Sequence, residues 1–232
     1  MKIGVFGDSF ADCSYNQSDS SVIWYQYLKE QHTIDCFGEG GSSILFSANL
    51  ITQMANNYDL IIWCVTTPGR FSLPCQTNNH TYHITTAQDE CTLTDIEIRK
   101  KHKVCVDYLK YIFDWDTENF VGQAVVSYVM SLYKNIMIIP CFPSPFPLKF
   151  NLYQLSKQET EYFFPGMDIP EIYQQYNDQR PGHISSENQQ ILANLIEQNL
   201  QPGFFQTSYD NFVKPTQPFS TLFQYHDPIY KR

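Results

Sequence analysis

Apolar and polar positions follow one another along the chain in blocks that predict strands and helices in turn. Short apolar runs, typical of buried strands, cover residues 2–6, 33–37, 59–65 and 136–140. Between and after them, apolar residues at helical spacing predict helices over residues 20–31, 44–56, 94–115, 118–133 and 185–200. Because strands alternate with helices, the expected fold is a three-layer α/β/α sandwich with a mostly parallel sheet.

Three regions lack this regular pattern. Residues 71–92 are polar without a clear period and are expected to form a loop insertion, and residues 150–182 are mixed and expected to be mostly irregular. Residues 201–232 are rich in proline and aromatic residues, which predicts an extended tail. The expected organisation is one α/β domain over residues 1–200 that carries the insertion, followed by this tail.

Charge and composition exclude several classes of function. Fifteen basic against twenty-four acidic residues give a net charge of -9, which argues against binding to a nucleic-acid backbone. The chain has no stretch of 18 apolar residues, and the apolar start at residues 1–6 is too short for a secretory signal, so no membrane span and a cytoplasmic location are expected. The seven cysteines form no CxxC pair, which is typical of reduced thiols in the cytosol.

Candidate catalytic groups follow the predicted strands, where parallel sheets bind their ligands. Gly7-Asp8-Ser9 comes after the first strand, a glycine-rich turn at 38–43 after the second, and a polar turn at 66–70 after the third. His183 stands shortly before the last helix. A serine hydroxyl, backbone donors in turns and an imidazole base are the groups that acyl transfer requires.

In this order the motifs resemble the SGNH (GDSL-type) hydrolase family. The resemblance covers residues 2–70 and 136–200 and rests on Gly7-Asp8-Ser9-Phe10, the glycine turn at 38–41, the strand at 60–65 and His183. It implies that Ser9 is the nucleophile, that the Gly41 amide is an oxyanion donor and that His183 is the general base. The amide of Ser9 is a further oxyanion donor in this assignment.

Two departures from the family pattern weaken the expectation of activity more than that of fold. Thr67, or less readily Thr66, stands where the family has an asparagine in the third block. Arg180 stands where the family has the aspartate three residues before the histidine, and Asp178 is the nearest acid. Either Asp178 orients His183 or a backbone carbonyl does so, and loss of a triad acid lowers the rate by several orders of magnitude.

The resulting hypothesis is a serine esterase that hydrolyses a small ester, such as an O-acetylated carbohydrate, without a metal or organic cofactor. Asp8, Arg70 and Arg180 are the candidate substrate-binding residues, although each arginine is equally compatible with a surface position.

The alternative hypothesis is a catalytically weak or inactive SGNH-like module that binds a glycan or belongs to a protein assembly. The low charge and the many Asn, Gln and Tyr residues resemble SGNH-like proteins of phages or other viruses, which makes a virion-associated location a second expectation. The aromatic tail is expected to pack on a neighbouring chain in a homo-oligomer or larger assembly, because the family's elements are complete before residue 201.

Overall fold

A parallel sheet forms the centre of the computed structural model, which describes residues 1–12, 23–74, 81–84, 96–143, 146, 148–167 and 184–215. Its strands are β1 (Lys2–Asp12), β2 (Thr33–Gly38), β3 (Leu60–Val65), β6 (Ile136–Pro140) and β7 (Gly203–Phe204). They lie in the order β2-β1-β3-β6-β7, and every neighbouring pair is parallel. A separate antiparallel pair consists of β4 (Phe71–Pro74) and β5 (Thr81–Ile84).

The described helices are α1 (Trp24–Leu28), α2 (Ile44–Met54), α3 (Ile96–Tyr111), α4 (Trp115–Leu132), α5 (Leu152–Phe163) and α6 (Ser186–Glu197). Side chains just before them satisfy free amides of the first turn: Ser43 caps α2, Asp114 caps α4, Asn151 caps α5 and Ser185 caps α6. Within the described residues, no helix is both long enough and apolar enough to cross a membrane.

Each face of the sheet is covered by its own apolar core. On one face, side chains of alternate strand positions such as Val5, Ile62 and Ile139 pack with α1, α5 and α6. On the other face, Phe6, Trp63 and neighbouring alternate positions pack with α2 and α4. Because successive strand residues point to opposite faces, β3 and β6 are buried along their whole length, and the expected three-layer α/β/α sandwich with its parallel sheet is confirmed.

Before residue 200, three regions differ from the sequence-based expectation. β1 continues to residue 12 instead of ending in a turn at residues 7–9. The insertion at 71–92 contains the strands β4 and β5, and its other positions beyond residue 74 lie outside the described residues. Residues 152–163 form α5, although this region was expected to be irregular. The helix was missed because two of its four buried positions, Ser156 and Glu159, are polar and obscure the hydrophobic period.

The first part of the tail packs on its own domain. β7 pairs with β6 in parallel, so the sheet continues beyond residue 200. Phe205 is buried against Phe150, and the Phe212 ring stacks on the same Phe150 ring with centroids 5.6 Å apart. Residues 201–215 are therefore part of the domain and do not form a separate extended tail, while residues 216–232 lie outside the described part. Contact with a neighbouring chain in an assembly stays a prediction.

Candidate active site

Near its carboxyl end β1 pairs with Gly38 of β2 twice, and the residues between these two pairings form an irregular loop. Lys2 to Gly7 pair in register with β2, pairing is then interrupted, and Asp12 returns to pair with Gly38, the partner of Gly7. Residues 8–11 therefore bulge out of the sheet at the edge where ligands of parallel sheets bind. Ser9 lies in this bulge and is half-buried.

Two glycines allow the backbone segments around this bulge to approach closely. A Cβ atom on Gly7 would lie 2.4 Å from the Cys64 carbonyl oxygen, and Gly7 also has φ +143°. A Cβ atom on Gly38 would lie 2.3 Å from the Ala11 carbonyl carbon and oxygen. Other residues are excluded by steric overlap at both positions, so the bulge is fixed between the ends of β2 and β3.

Hydrogen bonds join the glycine turn after β2 to the end of β1. The Glu39 amide and the Ser42 hydroxyl donate to the Gly7 carbonyl, at 3.0 and 2.9 Å. The Gly40 amide donates to Asp12 Oδ2 at 2.7 Å. These contacts hold the turn that carries Gly41 against the segment that carries Ser9.

Within this arrangement Gly41 has φ +77°, a left-handed conformation that suits glycine, and is half-buried. Its amide donates to none of the residues that the structure describes, and Ser9 pairs with neither neighbouring strand. Thr67 is half-buried in the turn after β3. The structure thus brings Ser9 near the carboxyl end of β1, Gly41 after β2 and Thr67 after β3 to one edge of the sheet.

A buried ion pair lies beside Ser9. The Asp8 carboxylate is fully buried, and its Oδ2 atom accepts a hydrogen bond from Arg70 Nη1 at 3.0 Å. Its Oδ1 atom accepts from the Phe10 amide at 3.1 Å. The guanidinium of Arg70 also lies 4.7 Å from the centre of the Phe142 ring. The two candidate substrate-binding side chains therefore bind each other, and their contact with a substrate stays a prediction.

Burial and charge act in opposite directions on Asp8. Burial raises the pKa of the Asp8 carboxyl above its ordinary value of 3.8, while the charge of Arg70 and the Phe10 amide lower it. The buried Thr66 hydroxyl lies near the carboxyl and also lowers its pKa, although it forms no hydrogen bond of regular geometry within the described residues. Asp8 thereby holds the backbone on both sides of Ser9, since it accepts from Phe10 and is anchored by Arg70.

His183, Asp178 and Arg180 lie outside the described residues, so their predicted roles stay predictions. The described chain resumes at Ile184, and Ser185 caps α6 directly after it. In the described parts of the chain, no group of three or more His, Cys, Asp or Glu side chains is arranged to hold a metal ion.

A buried carboxylate on α5 meets the start of α6. Glu159 accepts hydrogen bonds from the Ser185 amide at 2.6 Å, from the Ser185 hydroxyl at 3.1 Å and from the Asn188 side-chain amide. Burial raises the pKa of Glu159 to about 7, although these three donors oppose the shift. The Asn188 side chain also exchanges two hydrogen bonds with the backbone of Val213.

Sequence reasoning missed Asp12, which binds the glycine turn, and Glu159, which joins α5 to the start of α6. Asp12 offered a weak signal, since it is an acid three positions after Ser9 in an otherwise apolar run. Glu159 offered none, because its partner Ser185 is 26 positions away in the chain.

No protein-family model matches the chain, and no curated protein sequence matches it. Among solved structures the chain is similar to a catalytic mutant of an acetylxylan esterase from Geobacillus stearothermophilus, with 14% identity, a TM-score of 0.40 and coverage of 86% of this chain and 93% of the esterase. A match to another mutant of that esterase covers only 60% of this chain and 58% of the esterase.

The chain is also similar to the acetyl xylan esterase AlAXEase, with 14% identity, a TM-score of 0.38 and coverage of 86% of this chain and all of that one. A third similar structure is a putative lipolytic protein of the G-D-S-L family from Desulfitobacterium hafniense, with 14% identity and a TM-score of 0.34. That match covers 83% of this chain and 95% of the lipolytic protein.

Proposed function

We propose that this protein is a serine esterase of the SGNH type, with Ser9 as the nucleophile and His183 as the general base. The observation that carries the proposal is the bulge at residues 8–11, which presents a half-buried serine at the carboxyl edge of the sheet. The glycine turn with Gly41 is tied to the same strand end through the Gly7 carbonyl. The Gly7-Asp8-Ser9 motif supports this family resemblance on the level of sequence.

In the proposed reaction the Ser9 oxygen attacks the ester carbonyl carbon while His183 takes the hydroxyl proton. The amides of Ser9 and Gly41 and the Thr67 hydroxyl stabilise the negative charge that develops on the carbonyl oxygen. His183 returns the proton to the alcohol as the bond between carbonyl carbon and alcohol oxygen breaks. Water then attacks the acyl-enzyme with His183 as base, which releases the acid and regenerates Ser9.

The proposed substrate is a small ester, with an O-acetylated carbohydrate as the leading class. Asp178 is the proposed acid behind His183, and a backbone carbonyl is the alternative support for the imidazole. Arg180 is a proposed contact for an anionic substrate group. The competing proposal, a weakly active or inactive module that binds a glycan or belongs to an assembly, predicts binding without turnover.

Covalent labelling tests the nucleophile directly. A fluorophosphonate probe and p-nitrophenyl acetate are applied to the wild-type protein and to Ser9→Ala, with Ser127→Ala as a control because that serine is exposed on α4. We expect labelling and acetate release from the wild type and from Ser127→Ala, and neither from Ser9→Ala. Labelling that persists in Ser9→Ala would reject Ser9 as the nucleophile, and an unlabelled, inactive wild type would favour the binding module.

The same assay separates the two supports for His183. If Asp178 orients the imidazole, Asp178→Asn lowers kcat by orders of magnitude, as removal of a triad acid does. If a backbone carbonyl does so, the change leaves kcat within a factor of a few. His183→Ala abolishes turnover in both cases.

A further inference from the structure

A small pocket opens at the carboxyl edge of the sheet, on the side covered by α2 and α4. Its wall includes Ile44 at the start of α2, Thr66 and Pro68 after β3, and Gly122 and Val126 on α4. The wall is mostly apolar, and the room inside admits about one water-sized group, which is close to the size of a methyl group.

Two residues in the wall of this pocket contact the residues on either side of Ser9. Thr66 lines the pocket and lies near the carboxyl of Asp8, the residue before Ser9. Phe142 also lines the pocket, and its ring packs edge-on against that of Phe10, the residue after Ser9, with centroids 5.8 Å apart. Ile44 follows the glycine turn by three residues. The wall of the pocket is thus joined to the segment that carries Ser9 through Thr66 and Phe142, and to the glycine turn through Ile44.

Gly122 sets the size of this pocket on its α4 side. It is a buried glycine in the interior of the helix, where glycine is less favourable than alanine. A Cβ atom placed there would lie 3.3 Å from Ile44 Cδ1 and 3.8 Å from Pro68 Cγ, two atoms of residues that line the pocket. A glycine at this position costs helix stability, and what it provides is the space between these two side chains.

We propose that this pocket receives the acyl group of the substrate and that Gly122 and Ile44 restrict it to acetyl. The inference rests on the proposed esterase function and adds the acyl specificity to it. The apolar wall suits a methyl group, and the restricted room disfavours each further methylene. One methylene more or less in an apolar pocket changes kcat/KM by about 10- to 200-fold.

The test measures kcat/KM for p-nitrophenyl acetate, propionate and butyrate. Wild type prefers acetate to propionate by at least about 10-fold. Gly122→Ala lowers kcat/KM for acetate by about 10-fold or more, because the added methyl group occupies the space between Ile44 and Pro68. Ser127→Ala, an exposed alanine substitution on the same helix, leaves all three values unchanged.

A compensating variant separates this effect from a general disturbance of the fold. Ile44→Val removes the Cδ1 atom that the new methyl group would approach, so on its own it raises the activity on propionate relative to acetate by about 10-fold. Combined with Gly122→Ala it restores the activity on acetate. Thermal unfolding checks that Gly122→Ala remains folded, which we expect because alanine favours the helix.

The outcomes separate the inference from the function on which it rests. If wild type hydrolyses acetate through Ser9 but Gly122→Ala and Ile44→Val leave the acyl preference unchanged, the acyl pocket is refuted and the esterase function stands. The acyl pocket is also refuted if Gly122→Ala lowers kcat/KM for acetate and the addition of Ile44→Val does not restore it. If wild type is no more active than Ser9→Ala, the esterase function fails and the inference fails with it.

Discussion

At the scale of single residues, the Asp8 and Arg70 pair illustrates what the order of residues conceals. Both residues were expected at the carboxyl edge of the sheet, and both are there. Arg70 follows a turn in which Gly69 has φ +80°, and its side chain reaches Asp8 on β1. A sequence shows neither this turn geometry nor the burial of Asp8, so the ion pair between the two residues could not be predicted, and their contact with a substrate stays a prediction.

Removal of Arg70 should be costly because it leaves the Asp8 carboxyl buried without its counter-charge. We expect Arg70→Met to lower the free energy of unfolding by about 3–5 kcal/mol, measured by urea denaturation at pH 7. Asp8→Asn in the same chain should recover a large part of this loss, since it removes the uncompensated charge.

Lys134→Met, which removes an exposed positive charge between α4 and β6, is the control and should change the free energy of unfolding by less than about 0.5 kcal/mol. A loss below about 1 kcal/mol for Arg70→Met would contradict the importance of this pair.

At the scale of elements, a helix or strand was predicted where its buried positions are apolar, and it was missed where they are not. β3 and β6 were predicted almost to the residue, because both faces of each strand are buried and the sequence is apolar throughout. α5 was missed because its buried face includes Ser156 and Glu159. β7 was missed because two residues, Gly203 and Phe204, cannot show a period of any kind.

The contact between α5 and α6 gives stability a dependence on pH. Burial raises the pKa of Glu159 from its ordinary value of 4.5 to about 7, so between these values the folded protein holds a proton that the unfolded chain has lost. The protonated Glu159 carboxyl therefore contributes its full stabilisation of the folded state below about pH 4.5. This contribution to the free energy of unfolding, up to about 3 kcal/mol, is lost as the pH rises towards 7.

Urea denaturation of wild type and Glu159→Gln between pH 4.5 and 8 measures this effect. As the pH rises, the free energy of unfolding of wild type should fall relative to that of Glu159→Gln, because the glutamine side chain does not titrate. Glu161→Gln, an exposed carboxyl on the same helix, should run parallel to wild type. If Glu159→Gln also runs parallel to wild type, the raised pKa is wrong.

At the scale of the whole molecule, the layers were predictable and the closure of the fold was not. The alternation of strands and helices predicts a parallel sheet between two layers of helices, because such a sheet needs cover on both faces. The return of residues 201–215 onto the same domain depends on Phe150, Phe205 and Phe212 meeting in space. Aromatic residues between prolines are equally typical of a surface that binds a neighbouring chain.

Packing of residues 201–215 on the same domain and packing on a neighbouring chain predict different effects of one substitution. Phe205 is 3% exposed within its own domain, so Phe205→Ala should lower the free energy of unfolding by about 3–5 kcal/mol and leave the molecular mass in solution unchanged. Phe120→Ala is the matched control, because that ring is 71% exposed on α4 and its loss should cost little. Light scattering alongside thermal unfolding decides: a reduced mass without loss of stability would favour packing on a neighbouring chain.

The position of β7 has a consequence for how this chain folds on the ribosome. β6 has β3 on one side and β7 on the other, and β7 comes from residues 203–204, more than sixty positions further along the chain. Until that segment leaves the exit tunnel, the second edge of β6 is an open row of backbone donors and acceptors next to apolar side chains, which favours aggregation. We therefore expect the sheet to close only after residues 203–204 have been translated and can pair with β6.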